Sequence, residues 1–416
     1  MKRVAVLFSG QGSQYVGMGR WFYDQDMETK ALFELASDSL SVDMKALCFN
    51  GYPAELNKTE NAQPALLLCS IIAYQFFEKR IGIKPNFLAG HSLGELSALT
   101  AANALKLPDA LKLARARGVA MSRCSTENNM GMSAVTKLPI ATVESLCSTV
   151  PGFKEAFVIA NYNLEHQCVL SGKSESLMAA AEVLKESGAD VIPLKVSGAF
   201  HSPFMAPAAD ELFEILAAIN ILKPEIPVIR NIDAKVHNEP EEIKKALIQQ
   251  ITNAVQWTQT MEVLGRESVD VYVETGPGSV LRKMAGRLPQ NRAYSLDDEE
   301  SRKELEIEFS NEIRERNEHP SIIAKCMAVA VATKNNNWDQ SAYQKGVIEP
   351  YDALTKLYQN YEDQDTFSIS LADKKEALRL LQTIFTTKQV PDEERSWRIQ
   401  QILSVCHESV ELVSQS

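Results

Sequence analysis

No apolar run in this 416-residue chain approaches the length of a membrane-spanning helix, and there is no excess of positive charge. Lysine and arginine number 43 against 54 aspartate and glutamate. The resulting formal charge of -11 argues against nucleic acid or an anionic membrane as the main partner. Cysteine is sparse, with seven residues at 48, 69, 124, 147, 168, 326 and 406 and no CxxC pair. That pattern excludes a disulfide frame or a zinc site and reads as reduced thiols of a cytoplasmic protein. Met1-Lys2-Arg3 imitates the start of an export signal, but the apolar run behind it, Val4 to Phe8, is too short for one. What is present is globular: 45% hydrophobic and 23% charged residues, in a chain long enough for more than one domain.

The stretch that carries chemistry is Gly90-His91-Ser92-Leu93-Gly94-Glu95. Phe87-Leu88-Ala89 enters it as a strand would, and Leu93 to Leu105 leaves it as a helix would. A G-x-S-x-G string in that setting is the nucleophile-elbow pattern, in which a strained turn lifts a serine hydroxyl off the sheet. Alone it is equally compatible with a capped βα turn.

Upstream, Val4-Ala5-Val6-Leu7-Phe8 reads as a strand buried on both faces, and it empties into Ser9-Gly10-Gln11-Gly12-Ser13-Gln14. This glycine loop lacks the third glycine of a dinucleotide fingerprint, since position 15 is Tyr, and it lacks the Gly-Lys-Ser/Thr ending of a phosphate loop. The remaining reading is a backbone N–H offered to developing negative charge, with Gln11 and Leu93 as the two donors of an oxyanion hole.

Helical spacing covers 27–50 and 64–80, with a loop and helix start over Thr59 to Ala65, and a further helix spans Ala110 to Ser122. Residues 129–196 then follow the order βαββαβ, the ferredoxin-like pattern, as a small subdomain inserted into the larger one. His201 leaves its last strand in Ser197-Gly198-Ala199-Phe200-His201-Ser202, after the serine in the chain, as a hydrolase-type base should. Strands alternate with helices to Val269–Glu274, so residues 1–128 and 197–295 are expected to form an α/β-hydrolase-like, mostly parallel sheet. The carboxylates between Ser92 and His201, such as Asp109 and Asp190, have no distinctive setting for a third triad member.

Eight pieces in order resemble the malonyl-CoA:acyl carrier protein transacylases and the acyltransferases of polyketide synthases. They are Phe8 to Gln14, Gln63-Pro64-Ala65, Gly90 to Glu95, Arg117-Gly118, Ala160-Asn161-Tyr162-Asn163, Gly198 to Ser202, Val255-Gln256-Trp257 and Glu274 to Gly278. The resemblance, covering residues 1 to about 290, implies malonyl transfer from malonyl-CoA to the phosphopantetheine thiol of an acyl carrier protein, an [acyl-carrier-protein] S-malonyltransferase. Malonyl-CoA would be a substrate, with no cofactor and no metal. Ser92 would carry the acyl group as an ester and His201 would be the base. The histidine would be oriented by a main-chain carbonyl at Gln256, completing a dyad without a carboxylate. Arg117 would grip the malonyl carboxylate through its planar fork, with Gln63 and Phe200 shaping the substrate pocket. Glu165 departs from the family, which often has a proline there.

Residues 296–416 lie outside the resemblance. Asp297 to Arg316 reads as a charged helical connector, and Ile322 to Ala332, Tyr343 to Tyr361, Leu371 to Thr386 and Glu393 to Val413 as helices. This helical extension suggests service in trans to a polyketide assembly line. Fatty-acid synthesis and hydrolysis of acyl carrier proteins on the same fold remain as alternatives.

Overall fold

In the computed structural model, which describes residues 2–25, 27–126, 129–196, 198–287, 291–310, 321–362 and 369–406, Val4–Phe8 forms strand β1 with every side chain buried. An apolar strand with no polar face needs cover on both sides, and a parallel sheet between helices supplies it. The chain contributes β2 (Phe87–Gly90), β3 (Met130–Thr136), β4 (Phe157–Leu164), β5 (Gln167–Lys173) and β6 (Asp190–Pro193). It continues with β7 (Val228–Ile229), β8 (Val255–Gln256), β9 (Val271–Thr275) and β10 (Arg292–Ser295).

Two five-stranded sheets result. The larger has the order β10-β9-β1-β2-β7 and is parallel throughout. Its register sets Phe8 opposite both Gly90 and Thr275, so the loops leaving β1, β2 and β9 emerge side by side at one edge. That edge is where open α/β sheets place their sites. The smaller sheet has the order β6-β3-β5-β4-β8. Its first four strands, with helices Ile140–Cys147 and Ser174–Glu186, make the antiparallel ferredoxin-like βαββαβ unit. The fifth, β8, returns from the large-sheet region to pair parallel with β4. Glu165, the family departure, sits in the turn between β4 and β5, where its carbonyl accepts from Ile140 N.

The chain divides into two compact units, Met1–Phe76 with Ile83–Leu305, and Phe77–Gly82 with Glu306–Ser416. The division falls after Leu305 and not after residue 295, because the start of helix Glu299–Glu308 is bonded into the first unit. Ser301 Oγ accepts from Ser295 N, and the Arg302 guanidinium lies 3.8 Å from the Trp21 ring centre. Within the second unit, helices Ile322–Ala332, Glu349–Glu362, Leu371–Thr387 and Asp392–Val405 surround a core that includes Leu354, Leu381 and Phe385. Lys388 is buried there, and its ammonium donates to the carbonyls of Ala330 and Thr333, groups that a helix end leaves without partners.

Several expected boundaries moved. The helix expected over 27–50 breaks into Met27–Leu40 and Met44–Asn50 at Ser41, whose φ is 52°, with Asp43 capping the second piece through Ala46 N. The loop and helix start expected over Thr59 to Ala65 are helix throughout, the beginning of Thr59–Arg80, which tolerates Pro64 near its start. Parts of three motifs, Ser197, residues 311–316 and residues 407–413, lie outside the described residues.

Candidate active site

Ser92 occupies the turn between β2 and helix Gly94–Ala101 with φ at 54°, the left-handed region that costs a residue with a side chain of order 1 kcal/mol or more. The turn is possible because its flanks are bare. A Cβ on Gly90 would stand 1.9 Å from Gly94 C and O, and one on Gly94 would stand 2.1 Å from Phe8 O. The elbow therefore lies backbone against backbone on the end of β1, with Gln11 in the loop that follows. Leu93 opens the next helix, where N–H groups have no partner one turn back. Around Gln11 the loop is held by side chains. Gln11 Nε2 donates to Thr59 Oγ1 at 3.2 Å, Gly12 N donates to Gln14 Oε1 at 2.8 Å, and Tyr15 donates its hydroxyl proton to the Asp297 carboxylate.

The buried His201 meets Ser92 Oγ at 2.7 Å through Nε2. Its Nδ1 lies 2.8 Å from the backbone carbonyl of Gln250. A carbonyl can only accept, so Nδ1 carries the proton and Nε2 is left to receive one from the serine. The orienting carbonyl thus belongs to Gln250 and not to Gln256. Gln250 lies in the last turn of helix Pro240–Thr252, where carbonyls lack a following N–H and the helix dipole is negative. Gln256 is on β8, opposite Tyr162, with its N donating to Asn231 O and its carbonyl accepting from Thr260 Oγ1. Burial first, then the Arg117 charge, push the His201 imidazole down to about 3, so it is neutral across the working pH range. Asp109 lies in the first turn of helix Leu107–Thr126, and Asp190 pairs with Lys137 at the surface.

Arg117 is reached from the helix Leu107–Thr126, whose next residue is Gly118. A Cβ there would lie 2.7 Å from Glu60 Cα, so the glycine lets this helix touch the start of Thr59–Arg80 and brings Arg117 beside Gln63. The buried guanidinium donates to Gln63 Oε1 at 2.8 Å, Gln250 Oε1 at 2.9 Å and Ser92 Oγ at 3.2 Å. All three are neutral, and among the described residues no carboxylate forms an ion pair with it. Burial pushes Arg117 down to about 10, opposed by the Glu95 charge, and it stays cationic at neutral pH. Gln63 is fully buried, and its Oε1 holds Arg117. Phe200, also buried, is fixed by Ser171 Oγ donating to its carbonyl, which sets the approach of His201 from β5.

Five site residues have no role assigned from the sequence. Asn231 follows β7 and accepts from Ser92 N at 2.6 Å while donating to Gly90 O at 2.6 Å, bracing the elbow on both sides. Gln250 sits in the last turn of the helix Pro240–Thr252. Glu95 and His237 form a buried pair with Nε2 to Oε1 at 2.7 Å. His91, next to the serine, joins its Nε2 to Asn163 Oδ1 of β4 at 2.9 Å.

With this geometry in view, the likeness to known proteins is specific. A family model described as the acyl transferase domain matches residues 6–295. A malonyl CoA-acyl carrier protein transacylase of Bacillus subtilis is 33% identical over 401 residues, covering 95% of this chain and 99% of that protein. Another of that name, from Bacillus subtilis strain 168, is 41% identical over 282 residues, covering 68% of this chain and 89% of the relative. Among solved structures, the malonyl CoA-acyl carrier protein transacylase of Coxiella burnetii superposes with a TM-score of 0.70 at 35% identity, covering 73% of this chain and 96% of that one.

Proposed function

The chain belongs to the acyl transferase domain family, and from that premise we propose that it moves malonyl from malonyl-CoA to the phosphopantetheine thiol of an acyl carrier protein. The observation that carries the reading is Arg117, a buried cation with neutral partners, its Nη2 3.2 Å from the Ser92 hydroxyl. A substrate whose acyl group ends in a carboxylate exchanges one of those neutral contacts for a charge-assisted pair. An acetyl group leaves the cation buried and unanswered.

The chemistry is two acyl transfers through one ester. Ser92 Oγ attacks the thioester carbonyl while His201 Nε2 takes its proton, and the carbonyl oxygen becomes an oxyanion facing Gln11 and Leu93 N–H. Donors of this kind are worth about 3–4 kcal/mol each. The C–S bond breaks, His201 returns the proton to the CoA sulfur, and malonyl remains on Ser92. The carrier's thiol then gives its proton to His201 and attacks the ester, and Ser92 leaves with the proton back on its oxygen. Gln250 carbonyl, at a helix C-terminus, steadies the imidazolium present at each tetrahedral stage.

A pH profile follows from the sign of the His201 shift. A base that protonates only near 3 stays competent as pH falls through the usual histidine range. The kcat/KM for malonyl-CoA is therefore expected to show no acidic limb between pH 8 and roughly pH 5. A half-maximal point near 6.5 would place the imidazole in water and contradict the geometry.

Within this transfer we assign the carrier to a polyketide assembly line served in trans. The support is the helical unit beyond Leu305. The 41% identical relative matches only 68% of this chain while 89% of its own length is used, whereas the 33% identical one runs nearly the full length of both. Loading assays against polyketide and fatty-acid carriers, with the full chain, test it. Faster loading of the polyketide carrier is expected, and a preference for the fatty-acid carrier would reverse the assignment. The buried thiols of Cys48, Cys69, Cys147, Cys168 and Cys326 form no disulfide, which fits a reducing cytoplasm for either pathway.

A further inference from the structure

Behind the reacting groups lies a carboxylate that the two-step chemistry does not use. Glu95 is 1% exposed, in the first turn of the helix that follows the elbow. Its Oε2 accepts from Gln250 Nε2 at 2.7 Å and from Asn231 N at 3.1 Å, and its Oε1 faces His237 Nε2 at 2.7 Å. Each partner reaches a different part of the site. Asn231 holds Ser92 N and Gly90 O. Gln250 holds Arg117 through its side-chain oxygen, His201 through its backbone carbonyl and Ser92 O through its Nε2.

The direction of the Gln250 amide is set by this carboxylate. Its Nε2 stands between Glu95 Oε2 and Ser92 O, both acceptors, so only the NH2 end fits there and the oxygen must turn to Arg117. A reversed amide would set oxygen against two oxygens and NH2 against a guanidinium. His237 closes the arrangement from the far side. It is 3% exposed, its Nδ1 has no hydrogen-bond partner among the described residues, and its Nε2 meets Glu95.

We propose that Glu95, held by His237, is a positioning residue that registers the Arg117 clamp and the Ser92 nucleophile to each other through Gln250 and Asn231. The proposal rests on Arg117 being the clamp for the malonyl carboxylate. Its consequence is a role in acyl-group choice for a residue that touches no substrate. Networks of this type couple their members more strongly than isolated pairs do.

The test compares malonyl-CoA with acetyl-CoA as donors to one holo-carrier protein, using full-length enzyme and reporting the ratio of the two kcat/KM values. A merely structural role lowers the amount of active enzyme, which cancels in that ratio. Glu95→Ala is expected to lower the ratio about tenfold. Glu95→Gln is expected to hold it within about threefold, because the amide can present its oxygen to Gln250 and Asn231 and its NH2 to His237. The free Nδ1 lets that ring take the other tautomer and accept at Nε2. His237→Leu, which keeps the carboxylate but removes its brace, is expected to fall between the two and decides the matter should Glu95→Ala fail to fold. A wild type that favours malonyl, with the ratio unchanged in Glu95→Ala or, failing that, in His237→Leu, overturns this inference alone. A glutamine variant as impaired in the ratio as alanine assigns the effect to charge and overturns the positioning account. A wild type indifferent between the donors overturns the clamp and this inference together.

Discussion

Ser92→Ala is expected to abolish malonyl loading of the carrier, with kcat falling about a million-fold, the scale seen when an activated serine is removed from a preorganised site. The loss is this large because the hydroxyl is the only reacting group the protein contributes covalently. His201, the oxyanion donors and Arg117 would all remain in place around a methyl group. Alanine is smaller than serine, and the backbone N–H at position 92 still donates to Asn231 from the same left-handed turn, so the elbow keeps its shape. Steady-state loading of a holo-carrier, with circular dichroism to show the fold intact, checks it. Full activity in the variant would mean that the acyl group never rests on Ser92.

Arg117→Ala carries the second-largest effect and acts on selectivity. Losing one partner of a buried, hydrogen-bonded charge pair costs about 2–5 kcal/mol, so malonyl transfer is expected to fall roughly 30- to 5,000-fold. Acetyl transfer, which never used the pair, is expected to hold or rise, because a desolvated cation no longer faces an uncharged group. The change also strips a donor from Gln63 Oε1 and Gln250 Oε1, both deep in the fold, and a drop in melting temperature is expected with it. Arg117→Lys keeps the charge but not the fork and should recover only part of the malonyl rate. Competition between malonyl-CoA and acetyl-CoA for one carrier measures the shift. Equal losses for both donors would mean that Arg117 supports the fold and does not read the acyl group.

Most of the scaffold was legible in the sequence for a plain reason. β1 is a continuous apolar run that only a doubly covered parallel sheet accommodates, and the βαββαβ order of residues 130–193 admits few packings. Ser92 and His201 were legible because the elbow needs its glycines and because a base must follow it. The carbonyl at Gln250 was not. The resemblance pointed six positions further on, while the physical requirement, an acceptor without an N–H of its own, is met by the last turn of Pro240–Thr252. Nor could spacing reveal the Glu95 network. Its members come from the helix Gly94–Ala101, from the connection after β7 that carries both Asn231 and His237, and from the helix Pro240–Thr252, and hydrophobic periodicity records which face is buried but not which polar groups meet there. The same limit hid the breaks at Ser41 and in Tyr343 to Tyr361, the second beginning as Gln340–Tyr343 and a wider π-type turn over Gln344–Ile348 before the helix Glu349–Glu362.

The central claim is that one serine holds malonyl between two thiols. Mixing the full-length enzyme with malonyl-CoA, without carrier, and reading its intact mass and peptide map tests that claim most directly. One malonyl group on Ser92 is expected, stable on the timescale of mixing and lost to a holo-carrier when one is added, with the carrier gaining it in equal amount. Free malonate released while the carrier stays unloaded, or an adduct on any other residue, would contradict the account.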